Sequence, residues 1–378
     1  MRVIHIADVH LGYRAYNRVN RAGINAREAD VFDAFRTTLA RTAELQPDLI
    51  LIAGDLFHAV RPSNMMIQYT FREFQQLRSK TSAPIVIIGG NHDTPRSADT
   101  GCILDLLSTI PDIHVVHGKY EQVLLENLDT SVFCLCHRAV PEISSLMIEP
   151  DPASKYNVLM VHGTLDGIIR HAYDLHEIKR ADIISDKWNY IAFGHYHLFE
   201  ELAPNAFYSG SLEYTSTNIW SETKKDKGFI EYDLDERKLV HFHKINTRDV
   251  IDLRPIDTKE KSSEEINLMI QNRIECVAGG YENKIIRLVV ENLPRSLQSG
   301  LDYSFVRKIR SEALHFDLLL RPPTKDGHKS TSSEHGSSKS LEEEWEDFAR
   351  AYDITAGVDR DQFVDMGRDY LLRQVPTE

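Results

Sequence analysis

Five apolar runs in this chain each end on residues that can bind a metal ion, and that recurrence constrains the fold more than any other feature. Arg2 to Ala7 runs into Asp8-Val9-His10, and Leu49 to Gly54 runs into Asp55. Ile85 to Gly90 runs into Asn91-His92-Asp93, Val158 to Val161 into His162-Gly163, and Tyr190 to Gly194 into His195-Tyr196-His197. Unbroken Ile- and Val-rich runs of this length read as strands buried on both faces, as in a parallel sheet. In an open α/β sheet the loops leaving the carboxyl ends of the strands converge, and sites form there. The donors are Asp, Asn and His without a thiolate, a set suited to Mn, Fe, Zn or Mg and unlike a cysteine-rich structural zinc site. One such piece alone is weak, because a Gly-Asp after a strand is usually a turn and a lone His is usually solvated. Five of them, in the order DxH, GD, GNHD, HG, GHxH, predict a metal site.

At 378 residues the chain exceeds one average domain, so a large core with smaller units is expected. Its 42% hydrophobic content suffices for a packed globule. The longest apolar runs, such as Ile85 to Ile88, are far too short for a bilayer, and Met1 leads straight into a strand. A cytoplasmic, nucleoid-associated protein without a membrane partner is the expectation. The four cysteines (Cys102, Cys134, Cys136, Cys276) show no CxxC spacing and read as reduced, buried thiols. A net charge of −13 argues at first against nucleic acid. Residues 341–378, however, hold eleven acidic and four basic side chains, a balance of −7 that leaves only −6 for everything before them.

After Asp8-Val9-His10, the segment Leu11 to Arg27 carries Tyr13, Arg14, Tyr16, Arg18, Arg21 and Arg27 without an apolar period. It reads equally as a solvated loop or as a phosphate-contacting loop beside the metals. Ala29 to Leu45 is an amphipathic helix with Phe32, Phe35, Leu39 and Leu45 inward. The helices Asn64 to Leu77 and Cys102 to Ile110 are apolar more widely than one buried face needs, so they are core helices or a contact for a second copy of the chain. Strands alternating with helices to about residue 110 imply βαβ units. Beyond that, Val115–Val123, Ser131–Cys136, Asn205–Gly210 and Lys227–Asp233 read as short strands of a second sheet layered on the first. The expected fold is a four-layered α/β/β/α sandwich over residues 1–248.

From Asp249 the ligand pattern stops. Val250–Pro255, a helix near Ser263–Cys276, Ile285–Asn292, a helix near Tyr303–Ala313 and Phe316–Leu320 suggest a smaller α/β domain over 249–321. Residues 322–340 hold twelve Ser, Thr, Gly or Pro in nineteen positions, the composition of a flexible linker. Residues 341–378 then read as a tethered helix pair. Ser340 with Glu343, and Asp359 with Gln362, have the spacing of helix caps. Trp345, Phe348 and Tyr352 stripe the first helix, and Phe363, Tyr370 and Leu371 the second.

The motif series resembles the signature of calcineurin-like metallophosphoesterases, and within them it is most similar to the double-strand-break repair nucleases of the SbcD/meiotic-recombination type. The closer features are ADVHLGY at 7–13, LILIAGDLFHAVRPS at 49–63, GNHD at 90–93, YSGSLE at 208–213 and KGF at 227–229. The resemblance implies a metallophosphoesterase sandwich, a DNA-contacting capping domain and a dinuclear centre of two Mn²⁺, with Mg²⁺, Fe²⁺ or Zn²⁺ as alternatives. It implies one metal on Asp8, His10, Asp55 and His197, and the other on Asp55, Asn91, His162 and His195. His92 would stabilise the reacting phosphate or protonate the leaving oxygen, Asp93 would orient His92, and His58 would help place a DNA end. The implied activity is phosphodiester hydrolysis, as a duplex 3′-5′ exonuclease and single-strand endonuclease. A homodimer and an SMC-like coiled-coil ABC ATPase, bound through Trp345, Phe348, Tyr352, Phe363, Tyr370 and Leu371, are the implied partners.

The same metals would also serve a small-substrate phosphodiesterase or a phosphoprotein phosphatase. A catalytically silent scaffold is the third reading, and the presence of His92 in GNHD speaks against it.

Overall fold

The computed structural model describes residues 1–168, 177–323, 345–346, 348–350 and 359–374. It divides into two units, Met1–Pro322 and Pro323–Glu378. Among the described residues no helix is long and apolar enough to cross a membrane.

Strands β1 (Arg2–Ile6), β2 (Leu49–Ala53), β3 (Ile85–Ile88) and β4 (Ile113–Val116) pair in parallel, in that order. Period-two alternation sends their side chains into two different cores. Ile4, Ile6, Ile50, Ile52, Ile85 and Ile87 join Phe35 and Leu39 of helix α1 (Ala26–Leu45) and Phe74 and Leu77 of helix α2 (Asn64–Arg78). Val3, Leu49, Leu51, Ala53, Val86 and Ile88 point the other way, onto a second sheet. All four side chains of β3 are fully buried, at about 2 kcal/mol each. They anchor the loop that follows.

The second sheet is built from β5 (Tyr120–Leu125), β6 (Thr130–Leu135), β7 (Tyr156–His162), β8 (Tyr190–Gly194), β9 (Glu200–Ala203) and β10 (Ala206–Tyr208), in the order β5-β6-β7-β8-β10-β9. Its inner face presents Val132, Cys134, Val158, Met160 and Ala192 to the first sheet. Its outer face carries Phe133, Leu159, Val161, Ile191 and Phe193, covered by Val140, Leu165, Ile178, Ile183 and Trp188. The fourth layer is thus made of short helical segments, His137–Ser145 and Arg180–Ile183, with loops between.

Three readings of local sequence are corrected here. Val115–Val123 is two strands in different sheets, β4 and β5, because Gly118 at φ +71° turns the chain between layers. Lys227–Asp233 does not join the second sheet: β11 (Gly228–Asp233) returns to pair antiparallel with β1 and with β12 (Lys238–Lys244). Cys102–Ile110 is a 3-10 stretch, Ile103–Thr109, with Leu104 and Leu107 in the core. Cys102, Cys134 and Cys136 are buried as expected, whereas Cys276 is exposed.

The third sheet, β13 (Val250–Asp257), β14 (Ile285–Glu291) and β15 (His315–Leu320), is parallel throughout. The helices Ser263–Glu275 and Tyr303–Glu312 close a separate core of Ile266, Ile270, Ile274, Leu288, Val306 and Phe316. A full capping box between Ser262 and Glu265 starts the first helix, and Asp302 caps the second by accepting from Ser304 and Phe305 N–H. Ala26, Ile219, Ile285 and Leu314 bury together where this sheet meets the rest of the unit. Tyr16 stacks on His315 at 4.0 Å and the Arg287 guanidinium lies 4.8 Å over Trp220.

In the second unit, helix Arg360–Gln374 is capped by the Asp359 carboxylate, which accepts from Asp361 and Gln362 N–H. Trp345 packs on Phe363 at 5.4 Å and donates its indole N–H to the Val364 carbonyl. A Cβ on Gly367 would lie 2.1 Å from the Trp345 ring, so only glycine admits this contact. Trp345 and Phe363 therefore cover each other, and Phe348, 55% exposed, faces outward. The linker from 324, the Ser340–Glu343 cap, Tyr352 and the side chains of Tyr370 and Leu371 lie outside the described residues.

Candidate metal centre

The loops that follow β1 and β2 zip together before either turns away. Asp8 N–H donates to Gly54 O, His10 N–H to Asp55 O, Leu11 N–H to Leu56 O and His58 N–H to Leu11 O, at 2.9–3.2 Å. This ladder holds Asp8, His10 and Asp55 side by side. All three, with His195, have φ between +51° and +97°, a region that residues other than glycine seldom occupy. Backbone strain of this kind collects at functional sites, where surrounding structure over-determines it.

The motif glycines make room for the donors. A Cβ on Gly54 would lie 2.1 Å from His162 Nδ1, one on Gly90 2.1 Å from Asp55 Oδ1, and one on Gly194 1.8 Å from the Ala53 carbonyl. Three of the motifs thus carry a glycine whose missing side chain leaves room for a neighbouring donor or for the backbone beside it.

The donors expected from the sequence form two groups, and a third cluster, His10 with His58 and His92, overlaps the first at His10. In the first, Asp8, His10 and His197 bring ligand atoms within 4.8 Å of one another, with His10 Nε2 only 3.1 Å from His197 Nε2. In the second, Asp55, His162 and His195 meet the same limit. Asn91 Oδ1 joins them at 3.1 Å from His162 Nε2 and 3.0 Å from His195 Nδ1. One atom, Asp55 Oδ2, reaches both groups: it lies 3.4 Å from His162 Nε2 and 3.8 Å from His10 Nε2. All seven residues expected to bind metal are brought together.

Hydrogen bonds point these donors inward. His162 Nδ1 donates to Ala53 O at 2.8 Å, which turns Nε2 toward the group. His195 N–H donates to both oxygens of Asp8, and His92 N–H to Asp55 Oδ1. Burial pushes the Asp8 carboxyl up and the His10 imidazole well down. Burial also works against charge on Asp55, but the imidazoles of His162, His10 and His92 hold its carboxyl well below the usual range. Burial opposes charge on His162 too, and Asp55 overrides it to lift the imidazole to about 9. Two imidazole nitrogens facing each other at 3.1 Å can share at most one proton, whereas a divalent cation satisfies both lone pairs. The donor set, with carboxylate, amide and imidazole but no sulfur, fits hard to borderline divalent ions.

His92 and His58 stand beside the first group. His92 packs edge-on against His10 at 4.8 Å and stacks on His58 at 5.1 Å. The expectation that Asp93 orients His92 is corrected: His92 Nδ1 donates to His58 O at 3.0 Å. The buried Asp93 carboxylate instead accepts from Leu56, Phe57 and Gly90 N–H, stapling the two loops together. Burial, then the nearby Asp55 charge, pushes Asp93 up to about 7. His58 Nδ1 sits 3.4 Å from His10 Nδ1, with Tyr13 edge-on to its ring at 5.0 Å.

Three of the four arginines of the loop have partners within the fold. Arg14 pairs with Glu28, Arg27 is buried on Glu213 and Asp30, and Arg18 donates to the carbonyls of Arg310 and Ser311. Residues that local sequence did not single out also reach the site: His137, whose ring lies 5.7 Å from that of His195, and Thr215, Glu222 and Lys227 beside His197. Of these only Lys227 lies in a quoted motif, KGF at 227–229, and the tertiary fold brings all four to the site. Trp345, Phe348 and Phe363 belong to the other unit.

Residues 1–199 match the calcineurin-like phosphoesterase family. The DNA double-strand break repair protein Mre11 of Methanocaldococcus jannaschii is 28% identical over 71% of this chain and 69% of its own length. Mre11 of Methanococcus maripaludis is 28% identical over 62% of this chain and 63% of its own length. A component of the nuclease SbcCD from Staphylococcus saprophyticus is 25% identical over 75% of this chain and 73% of its own length. The chain thus spans roughly two thirds of the length of these relatives. With two donor groups in reach of Asp55 and the family match over the segment that supplies all seven donors, this chain belongs to the calcineurin-like phosphoesterases, a family of metal-dependent hydrolases.

Proposed function

We propose that the chain is a dinuclear-metal DNA nuclease that processes the ends of double-strand breaks. The observation that carries the reading is Asp55 Oδ2, one carboxylate oxygen within reach of both donor groups, with His92 alongside. Relatives named for double-strand break repair, and one named as part of a nuclease, point the reading toward DNA. Asp8, His10, Asp55 and His197 would hold one ion, and Asp55, Asn91, His162 and His195 the other. Two divalent ions held there, Mn²⁺ in this reading, would lower the pKa of bound water and offset charge on the phosphate.

The chain's own residues supply the rest. His92 commits its Nδ1 proton to His58 O, so Nε2 is the nitrogen that faces the reacting phosphate. A proton carried on Nε2 passes to the leaving oxygen. His58, stacked on His92, fixes that ring and lines the path of the DNA end. The exposed Leu106 beside the half-buried Ile67 and Phe71 offers an apolar face for a two-fold dimer. Met66, on the same helix, is buried in the core and takes no part in that face. The helix pair of the second unit, with Phe348 outward, would dock on the coiled coil of an SMC-like ABC ATPase.

Linear duplex DNA, bis-p-nitrophenyl phosphate and a phosphopeptide, each offered with Mn²⁺ and again with chelator, test the reading. Metal-dependent release of nucleotides from DNA supports it. Turnover of only the ester or only the phosphopeptide replaces it with a small-substrate diesterase or a phosphatase.

A further inference from the structure

His197 is held by a buried ion pair, Glu222 with Lys227. Its ring turns Nε2 toward His10 and Nδ1 toward the interior, where Glu222 Oε1 lies 3.6 Å away and Thr215 Oγ1 3.4 Å away. Glu222, 3% exposed, also accepts from Ser216 N–H at 3.1 Å, and its other oxygen is paired with Lys227 Nζ. Lys227, 2% exposed, spends its remaining two protons on His197 O and Ser211 Oγ, both at 2.8 Å. An ammonium has three donors, and all three are used.

Packing alone does not call for this arrangement. Taking two charges out of water costs several kcal/mol per ion, and an apolar pair of similar volume often holds a core as well or better. The pair sits just before β11 and at the end of the short helix Ile219–Glu222. Lys227 grips the backbone of His197 while Glu222 faces its ring. A carboxylate behind a ligating imidazole fixes the tautomer and raises ligand basicity. The other tautomer would aim an N–H at His10 Nε2, where the ion must bind.

We propose that Glu222, held in place by Lys227, is the positioning residue of the first metal group, keeping His197 as the Nδ1–H tautomer with Nε2 free for the ion. The inference rests on the dinuclear reading above and deepens it. Thr215 shares the proton, but a neutral hydroxyl holds an imidazole N–H less strongly than a carboxylate does.

Mn²⁺ alone is the probe. The full chain, the Glu222→Gln variant and the double variant Glu222→Met with Lys227→Met are titrated with MnCl₂ while free Mn²⁺ is read by its EPR signal. Ring ¹⁵N spectra of the metal-free proteins report the tautomer of His197, assigned by its loss in His197→Asn. The double variant removes both charges together and keeps the apolar volume, so no lone charge stays buried. We expect two Mn²⁺ in the parent, a 10- to 100-fold loss at one site in the double variant with the other site unchanged, and a mixed His197 tautomer. Glu222→Gln, which keeps an acceptor oxygen, should lose less. Should the double variant fail to fold, Glu222→Gln decides by the same two readouts. Two Mn²⁺ bound by the variants as tightly as by the parent, with His197 still wholly Nδ1–H, overturns this inference alone. A parent that takes up no Mn²⁺ overturns the dinuclear reading and this inference with it.

Discussion

Arg27 and Glu213 form an ion pair at 2.6 Å with both side chains 1% exposed, joining the first turn of α1 to the segment that carries Thr215 to His197. Asp30 and the Tyr214 carbonyl complete the coordination of Arg27, and Arg248 spans from Asp30 to the Asn283 carbonyl beside the third sheet. Breaking a buried pair by removing one partner costs about 3–5 kcal/mol, because the other charge stays behind. Glu213→Ala should fall near the lower end, since Asp30 still holds Arg27. Urea unfolding followed by circular dichroism measures it, and a shift below about 1 kcal/mol would show that the pair is dispensable.

His92→Ala should bind metal like the parent and cleave DNA about 10²–10⁴-fold more slowly, the usual share of a positioned acid. His92 touches the donors only through its backbone N–H to Asp55 and its ring edge to His10. Metal content and cleavage are to be measured on the same preparation. Loss of both ions in this variant would assign His92 to the metals instead.

His5 sets an acid limit on stability. Buried between the sheets and bonded through Nδ1 to the Tyr190 hydroxyl at 2.8 Å, its imidazole is pushed down by burial from 6.5 to about 3. The unfolded chain therefore binds a proton there that the folded chain refuses between pH 6.5 and about 3. This contribution is fully present above pH 6.5 and is lost at about 1.4 kcal/mol per unit as pH falls through that window. Between pH 7 and pH 5 the parent should lose about 2 kcal/mol that His5→Phe does not. Parallel pH profiles of the two proteins contradict this assignment.

Leu106→Asp or Phe71→Asp should yield monomers if the Ile67–Phe71–Leu106 face is a dimer contact. Sedimentation of residues 1–322 at micromolar concentration checks it. A parent already monomeric there removes the proposal.

Removing residues 341–378 should leave DNA cleavage by the isolated chain within about twofold and abolish co-purification with the ATPase, as expected for a tethered docking element. Phe348→Ala is the milder probe, because Phe348 is outward while Trp345 and Phe363 cover each other. Unchanged ATPase binding by the truncated chain would place the contact elsewhere.

The donors and the parallel strands behind them were legible in the sequence because both are local. A buried strand must be apolar at every position, and the residue past its end is the first that is free to be polar. Hence Asp8, Asp55, Asn91, His162 and His195 announce themselves at the ends of their strands. Sheet membership was not legible: Lys227–Asp233 looks like any other short strand, and only its pairing with β1 assigns it to the first sheet. The orientation of His92 and the grip on His197 were equally hidden. His58 lies 34 residues from His92, and Lys227 lies 30 from His197, so no local pattern couples them. The order of residues along the chain is enough to say which side chains can hold a metal and which strands deliver them. Which hydrogen bonds aim those side chains is settled by folding, because aim depends on groups brought close by the packing of two sheets.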